Sequence, residues 1–178
     1  MESLTSSLLK DHEVILRAVA RLENRVVEWR LSGRIERESL EKFIEFAKLF
    51  TDRCHHGKEE RCLFPCMEKR GIPRNGGPIG VMLYEHQLGR ELISRLEKAA
   101  ETYFNEGQGL EKVLTVCEDY IGLIRQHIAK ENDILFPMGE NVATGEDIGQ
   151  ANACYEEVEL REVGEEEHHR LEKAADEI

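Results

Sequence analysis

A chain of 178 residues is long enough to bury a core without staples and short enough for one domain. Charged residues make up 34% and prolines number only four, a composition that favours helix, while a formal net charge of −12 argues against nucleic acid or anionic membrane as a partner. No apolar run approaches the roughly 18 residues of a membrane span, and the opening MESLTSSLLKDHE lacks a basic stretch followed by an apolar one.

Four long amphipathic patterns are predicted in succession. The first, over about residues 4–31, places Leu8, Ile15, Val19, Leu22 and Val26 on one face in a three-four-seven rhythm and stops at Ser32-Gly33. A second, over about 36–64, turns Leu40, Phe43, Phe46, Ala47 and Phe50 inward, and Pro65 perturbs its end, with room for one more turn before Gly71. Residues 71–80 (GIPRNGGPIG) read as a connecting loop. The third pattern runs over about 79–104 and ends at Asn105-Glu106-Gly107. The fourth runs from near Leu110 to Phe136, where Pro137 takes the place Pro65 has in the second. The expected fold is all-α: an antiparallel up-down-up-down four-helix bundle over residues 1–140. An acidic tail, 141–178, adds one or two short helices lying over it, with Tyr155, Val158, Val163 and Leu171 as its apolar rhythm. His168 and His169, in EEEHHRLEK, are expected on a solvated face. The five cysteines (Cys54, Cys62, Cys66, Cys117, Cys154) contain no CxxC pair, so free thiols in the cytoplasm are expected. Cys62 and Cys66 share a helical face just beyond Glu59, which admits a redox role, although buried free cysteines are the commoner case.

The chemistry-bearing residues repeat once. His12 is followed by His55-x-x-x-Glu59, and His86 by His127-x-x-x-Glu131. HHGKEERCLFP (55–65) and HIAKENDILFP (127–137) share six residues: His, Lys, Glu, Leu, Phe and Pro. Leu9, Asp11, His12, Arg21 and Leu22 likewise line up with Leu83, Glu85, His86, Arg95 and Leu96. With about 1.5 Å of rise per residue, His12 and His55 each lie roughly 28 Å of helix from the first turn, and His86 and His127 about 25–30 Å from the turn near residue 107, so an up-down-up-down bundle brings all four to one level. Nothing in helix packing requires that agreement. Residues four apart share a face, so each His–Glu pair can approach one metal or two adjacent ones. The expected ligands are His12, His55, Glu59, His86, His127 and Glu131. His56, rotated about 100° from His55, either completes the set or points away. Tyr84, Glu85 and Tyr120 are candidates for orienting the ligands.

Six or seven donors exceed the needs of a structural zinc, and magnesium or calcium would want more oxygen. Two carboxylates facing each other across a bundle suit a dinuclear centre, with nitrogen-rich di-iron the best fit. Because ferritin-like di-iron proteins use four carboxylates, a histidine-rich, less anionic core inclines toward binding a small oxidant rather than activating it.

The order His, HxxxE, His, HxxxE, with the strings DHE, HHGKEERCLFP, GGPIGVMLYEH and HIAKENDILFP, resembles the hemerythrin-like (HHE cation-binding) family over residues 5 to about 140. That resemblance implies an antiparallel four-helix bundle holding two iron ions, joined by an oxo or hydroxo bridge. It also implies a small partner: O2, another diatomic molecule such as nitric oxide, or peroxide. The family's ligands carry over to His12, His55, Glu59, His86, His127 and Glu131. Oxygen-carrying hemerythrins take two histidines, four residues apart, from the third helix. Here Met82 and Arg90 flank His86 at that spacing; either His56 restores the missing histidine from a different helix, or one iron keeps an open or water-filled position. The leading expectation is a protein that binds or senses O2 or a related ligand. The alternatives are an enzyme consuming peroxide or nitric oxide, and an iron-handling protein without diatomic chemistry.

Overall fold

The computed structural model describes residues 3–178, whose regular elements are all helices, with no strand among them. Helix α1 is Ser6–Ser32. Helix α2 runs unbroken over residues 37–69, changing from α (Arg37–Phe46) to π (Ala47–His56), again to π (Glu59–Leu63), and ending as α (Phe64–Lys69). Helix α3 is Pro78–Glu106. Helix α4, residues 110–142, is α over Leu110–Lys130, π over Glu131–Leu135 and α over Phe136–Val142. Helices α5 (Gly145–Glu162) and α6 (Glu165–Ala174) follow. None is long and apolar enough to cross a membrane.

The helices end where the sequence supplies stop signals: Gly33 and Gly107 adopt left-handed backbone, which glycine enters without steric cost, and close α1 and α3. The end of α4 lies beyond its expected bound, and that of α2 takes up the extra turn left open before Gly71. Pro65 and Pro137 do not stop their helices; each follows a π stretch and sits at the start of a new α segment, where a missing N–H costs nothing. So α2 continues to Lys69 and α4 to Val142. Pro78 opens α3 in the same way, shortening the expected loop.

Two apolar clusters share the helical bundle. One holds Leu22, Trp29, Phe43, Phe46, Leu96 and Ile121; the other holds Leu8, Phe64, Met67, Met82, Phe136 and Tyr155. Along each of the four long helices the predicted ligands fall between the residues of these two clusters, so a polar layer is enclosed by apolar ones. The last two helices lean on both: Tyr155 and Val158 join the second cluster, Leu171, Ala175 and Ile178 the first. Their attachment is also polar. Tyr155 Oη donates to the Leu4 carbonyl (3.1 Å), and Arg70 Nε donates to Asp147 Oδ2 (2.7 Å) inside the capping box that Thr144 and Asp147 form at the start of α5.

The expectation of free thiols holds for Cys54, Cys66 and Cys117 but not for Cys62 and Cys154, which form a disulfide from α2 to α5. The partners lie 92 residues apart, so no local spacing announces the pair. His168 also departs from expectation: it is buried, with its ring tilted against that of Phe50, while His169 is exposed.

Candidate metal centre

All seven predicted ligands converge, and all are buried. They sort into two groups sharing a carboxylate. His12, His55, Glu59 and Glu131 form one; His56, Glu59, His86 and His127 form the other, with donor atoms in each group within 4.8 Å of one another. Each glutamate offers one oxygen to each group. Glu59 Oε1 lies 3.5 Å from His55 Nε2 and its Oε2 lies 3.2 Å from His86 Nε2. Glu131 Oε1 lies 3.2 Å from His127 Nε2 and its Oε2 lies 3.1 Å from His12 Nε2.

The π-helical turns account for His56. An i→i+5 turn is wider than an α turn, so successive side chains are rotated less around the axis. His55 and His56 end such a stretch and both reach the centre, where the 100° of an ideal α-helix left His56 undecided. Glu59 and Glu131 each begin one. His56 then stacks on His86, with ring centroids 3.8 Å apart.

Each histidine is held by its other nitrogen. His12 Nδ1 faces Asn132 Oδ1 (2.7 Å), His55 Nδ1 faces Asp11 Oδ2 (3.2 Å), His86 Nδ1 faces Glu60 Oε1 (2.8 Å) and His127 Nδ1 faces Glu85 Oε2 (2.9 Å). His56 Nδ1 faces Asp52 Oδ1 at 3.3 Å. A carboxylate or amide oxygen only accepts, so Nδ1 carries the proton and the Nε2 lone pairs point inward, the arrangement of metal-bound imidazole. These partners repeat in register too: Asp11 with Glu85, Glu60 with Asn132. Lys58 Nζ donates to Asp11 Oδ2 (3.1 Å) as Lys130 donates to Glu85. The rings of Phe136 and Phe64 lie over His12 and His86.

Inward-facing polar atoms are left without hydrogen bonds: both oxygens of Glu59 and of Glu131, and Nε2 of His86 and His127. Six orphaned, fully buried donor atoms would cost several kcal/mol in a site meant to be empty. A cation removes that cost, so the residues fit a metal centre. Protons compete with a cation for the same positions. Burial alone would lower the pKa of His12, His86 and His127, yet facing Glu59 or Glu131 raises all three, His127 to about 10. The same carboxylate–imidazole attraction holds Glu131 well below the usual range against its burial. His56 goes the other way, lowered by burial and by the nearby imidazoles of His86, His127 and His55.

Sequence reasoning placed Glu85 correctly as an orienting residue, but Tyr84 is exposed. Tyr120 is buried and lines, with His56, Asp52, Gly89 and Arg90, a cavity of about 140 Å³ between α2 and α3. Asp11, Lys58, Glu60 and Asn132 were overlooked as orienting residues, although the internal repeat marked Asp11 and Lys58 by matching Glu85 and Lys130.

Known proteins bear the same stamp. The chain is 34% identical over 87 residues to the iron-sulfur cluster repair protein DnrN of Neisseria gonorrhoeae, covering 46% of this chain and 54% of that one. It is 35% identical over 86 residues to the iron-sulfur cluster repair protein YtfE of Dickeya chrysanthemi, covering 47% and 39%. An uncharacterized protein of Mycobacterium tuberculosis is 23% identical over 161 residues, 89% of this chain and 62% of its own. The matched stretches thus span about half or less of the two repair proteins. No solved structure matches significantly. Residues 3–139, nearly the whole span of the four long helices and every candidate ligand, match the hemerythrin HHE cation binding domain, and the chain belongs to that family.

Proposed function

We propose that the four long helices form an antiparallel up-down-up-down bundle holding two iron ions, and that the protein binds or senses O2 or a related small ligand there. The observation that carries this reading is the unequal division of donors. One group has three histidines and the other two, with Glu59 and Glu131 offering an oxygen to each. The ion beside His12 and His55 has fewer protein donors and keeps room for an exogenous ligand. Five imidazoles with only two carboxylates suit iron better than magnesium, calcium or a structural zinc.

When bound, ferrous iron supplies the electrons and the open position for ligand uptake. The protein's own residues set the conditions. Asn132, Asp11, Asp52, Glu60 and Glu85 fix the imidazole tautomers, so little reorganisation accompanies ligand binding. Phe136 and Phe64 keep apolar walls against the histidines and limit water. A core with only two anionic donors disfavours high oxidation states, which inclines the site toward binding rather than oxidising catalysis.

A second reading, a role in iron-sulfur cluster repair through iron handling or through nitric oxide or peroxide chemistry, is favoured by the two relatives named as iron-sulfur cluster repair proteins. One titration separates the readings. Ferrous-loaded protein, with iron content measured, is exposed to O2 and then deoxygenated. A charge-transfer band that appears and then vanishes supports reversible binding. A band that persists supports redox chemistry. Iron content near two per chain without any band supports iron handling, and content well below two refutes the dinuclear centre.

A further inference from the structure

Outside this centre, a third group of donors joins three helices. Cys54 on α2, Glu159 on α5 and His168 on α6 each place one donor atom within 4.8 Å of the others. We propose that these three residues form a separate mononuclear site for a zinc-like divalent cation, which fastens the C-terminal helices to the bundle.

Three observations carry it. His168 is 7% exposed and its Nε2 has no hydrogen-bond partner; Glu159 Oε2 lies 3.4 Å away without the alignment of a hydrogen bond. Its Nδ1 is turned instead toward Glu172 Oε1, 3.9 Å away and beyond hydrogen-bond reach. The donors are also mixed. One sulfur, one nitrogen and one oxygen match zinc's tetrahedral preference with a fourth position left for water. Cys54 and His168 are buried, while Glu159 is partly exposed and gives the ion its path from solvent.

Lys58 is the apparent obstacle, since its ammonium lies 2.9 Å from Glu159 Oε2. It has a second carboxylate, Asp11, at 3.1 Å. Glu159 can therefore turn an oxygen to a cation without stranding Lys58. On coordination the Cys54 thiol releases its proton to solvent. Thiolate and carboxylate then balance a divalent ion, and Lys58 stays paired with Asp11. His169 and Glu172, on the exposed side of His168, offer a competing cluster that the test must separate.

The test uses the full chain loaded with iron, incubated with excess zinc, freed of unbound metal and analysed for both elements. The expected result is one zinc per chain with iron unchanged. With cobalt in place of zinc, a thiolate-to-cobalt charge-transfer band is expected. Cys54→Ser and His168→Ala should each lose that equivalent and that band while keeping their iron; His169→Ala and Cys66→Ser should keep both. No zinc beyond the iron, zinc bound only at the expense of iron, or zinc retained by His168→Ala each overturns the proposal. Should Cys54→Ser fail to fold, the His168→Ala and His169→Ala pair decides alone.

Discussion

Lys58 and Lys130 occupy equivalent positions in the two halves of the repeat, yet their replacement should have very different consequences. Each donates to the acid that holds a histidine: Lys58 to Asp11 beside His55, Lys130 to Glu85 beside His127. Their surroundings differ because α5 covers only one half. The Lys58 side chain is 1% exposed beneath Glu159, whereas that of Lys130 is 41% exposed. At an effective dielectric constant near 20, two carboxylates about 3 Å away attract an ammonium by roughly 5 kcal/mol each, and desolvation cancels much of it. Lys58→Met keeps the stem's volume but leaves Asp11 buried without its cation, a loss of about 3–5 kcal/mol. Asp11 can limit this by taking a proton, and partly exposed Glu159 regains water, so about 3 kcal/mol is expected. For a chain of this size that lowers Tm by roughly 6–12 °C. Lys130→Met should cost about 0–1 kcal/mol. Denaturant unfolding of both variants, each with and without iron, measures the difference. Losses equal within about 0.5 kcal/mol would refute the argument that the C-terminal helices convert one of two equivalent ion pairs into a buried one.

On the proposed di-iron reading, Glu59→Ala or Glu131→Ala should reduce iron from two per chain to at most one, because each removes a group offered to both donor sets; elemental analysis of folded variants reads this directly. Iron uptake by metal-free protein should strengthen as pH rises from about 6 to 8, since incoming iron must displace protons from His12, His86 and His127, whose affinity for protons is raised. A flat competition titration over that range would contradict it. Reducing the Cys62–Cys154 bond, or Cys154→Ser, should lower unfolding stability by about 2–5 kcal/mol, because the cross-link closes a long loop in the unfolded chain. Unfolding midpoints that do not respond to reductant would mean the bond contributes nothing in solution.

The helix count and the convergence of six candidate ligands were legible because both rest on local rules. Apolar spacing defines a helical face, and a repeat of His, His-x-x-x-Glu needs only counting. The residues behind the histidines were half legible: Asp11 and Glu85 are both acids at matching places in the repeat, but Glu60 and Asn132 differ in charge, and nothing in the repeat marks them as doing the same work. His56 was undecided because its direction depends on whether its turn is α or π, which the spacing of residues in the sequence does not specify.

The sequence by itself therefore determined the local chemistry: which faces are apolar, which donors recur, and at what height along each helix they stand. Only the tertiary structure decided what depends on residues distant in the chain. It brought Cys154 to Cys62, buried His168 against Phe50, and laid Glu159 over Lys58, breaking the symmetry of the two halves. The C-terminal helices caused all three. Their weak apolar rhythm fixes where they can be helical, but where they dock is set by shape and charge on a surface that exists only once the other helices have assembled.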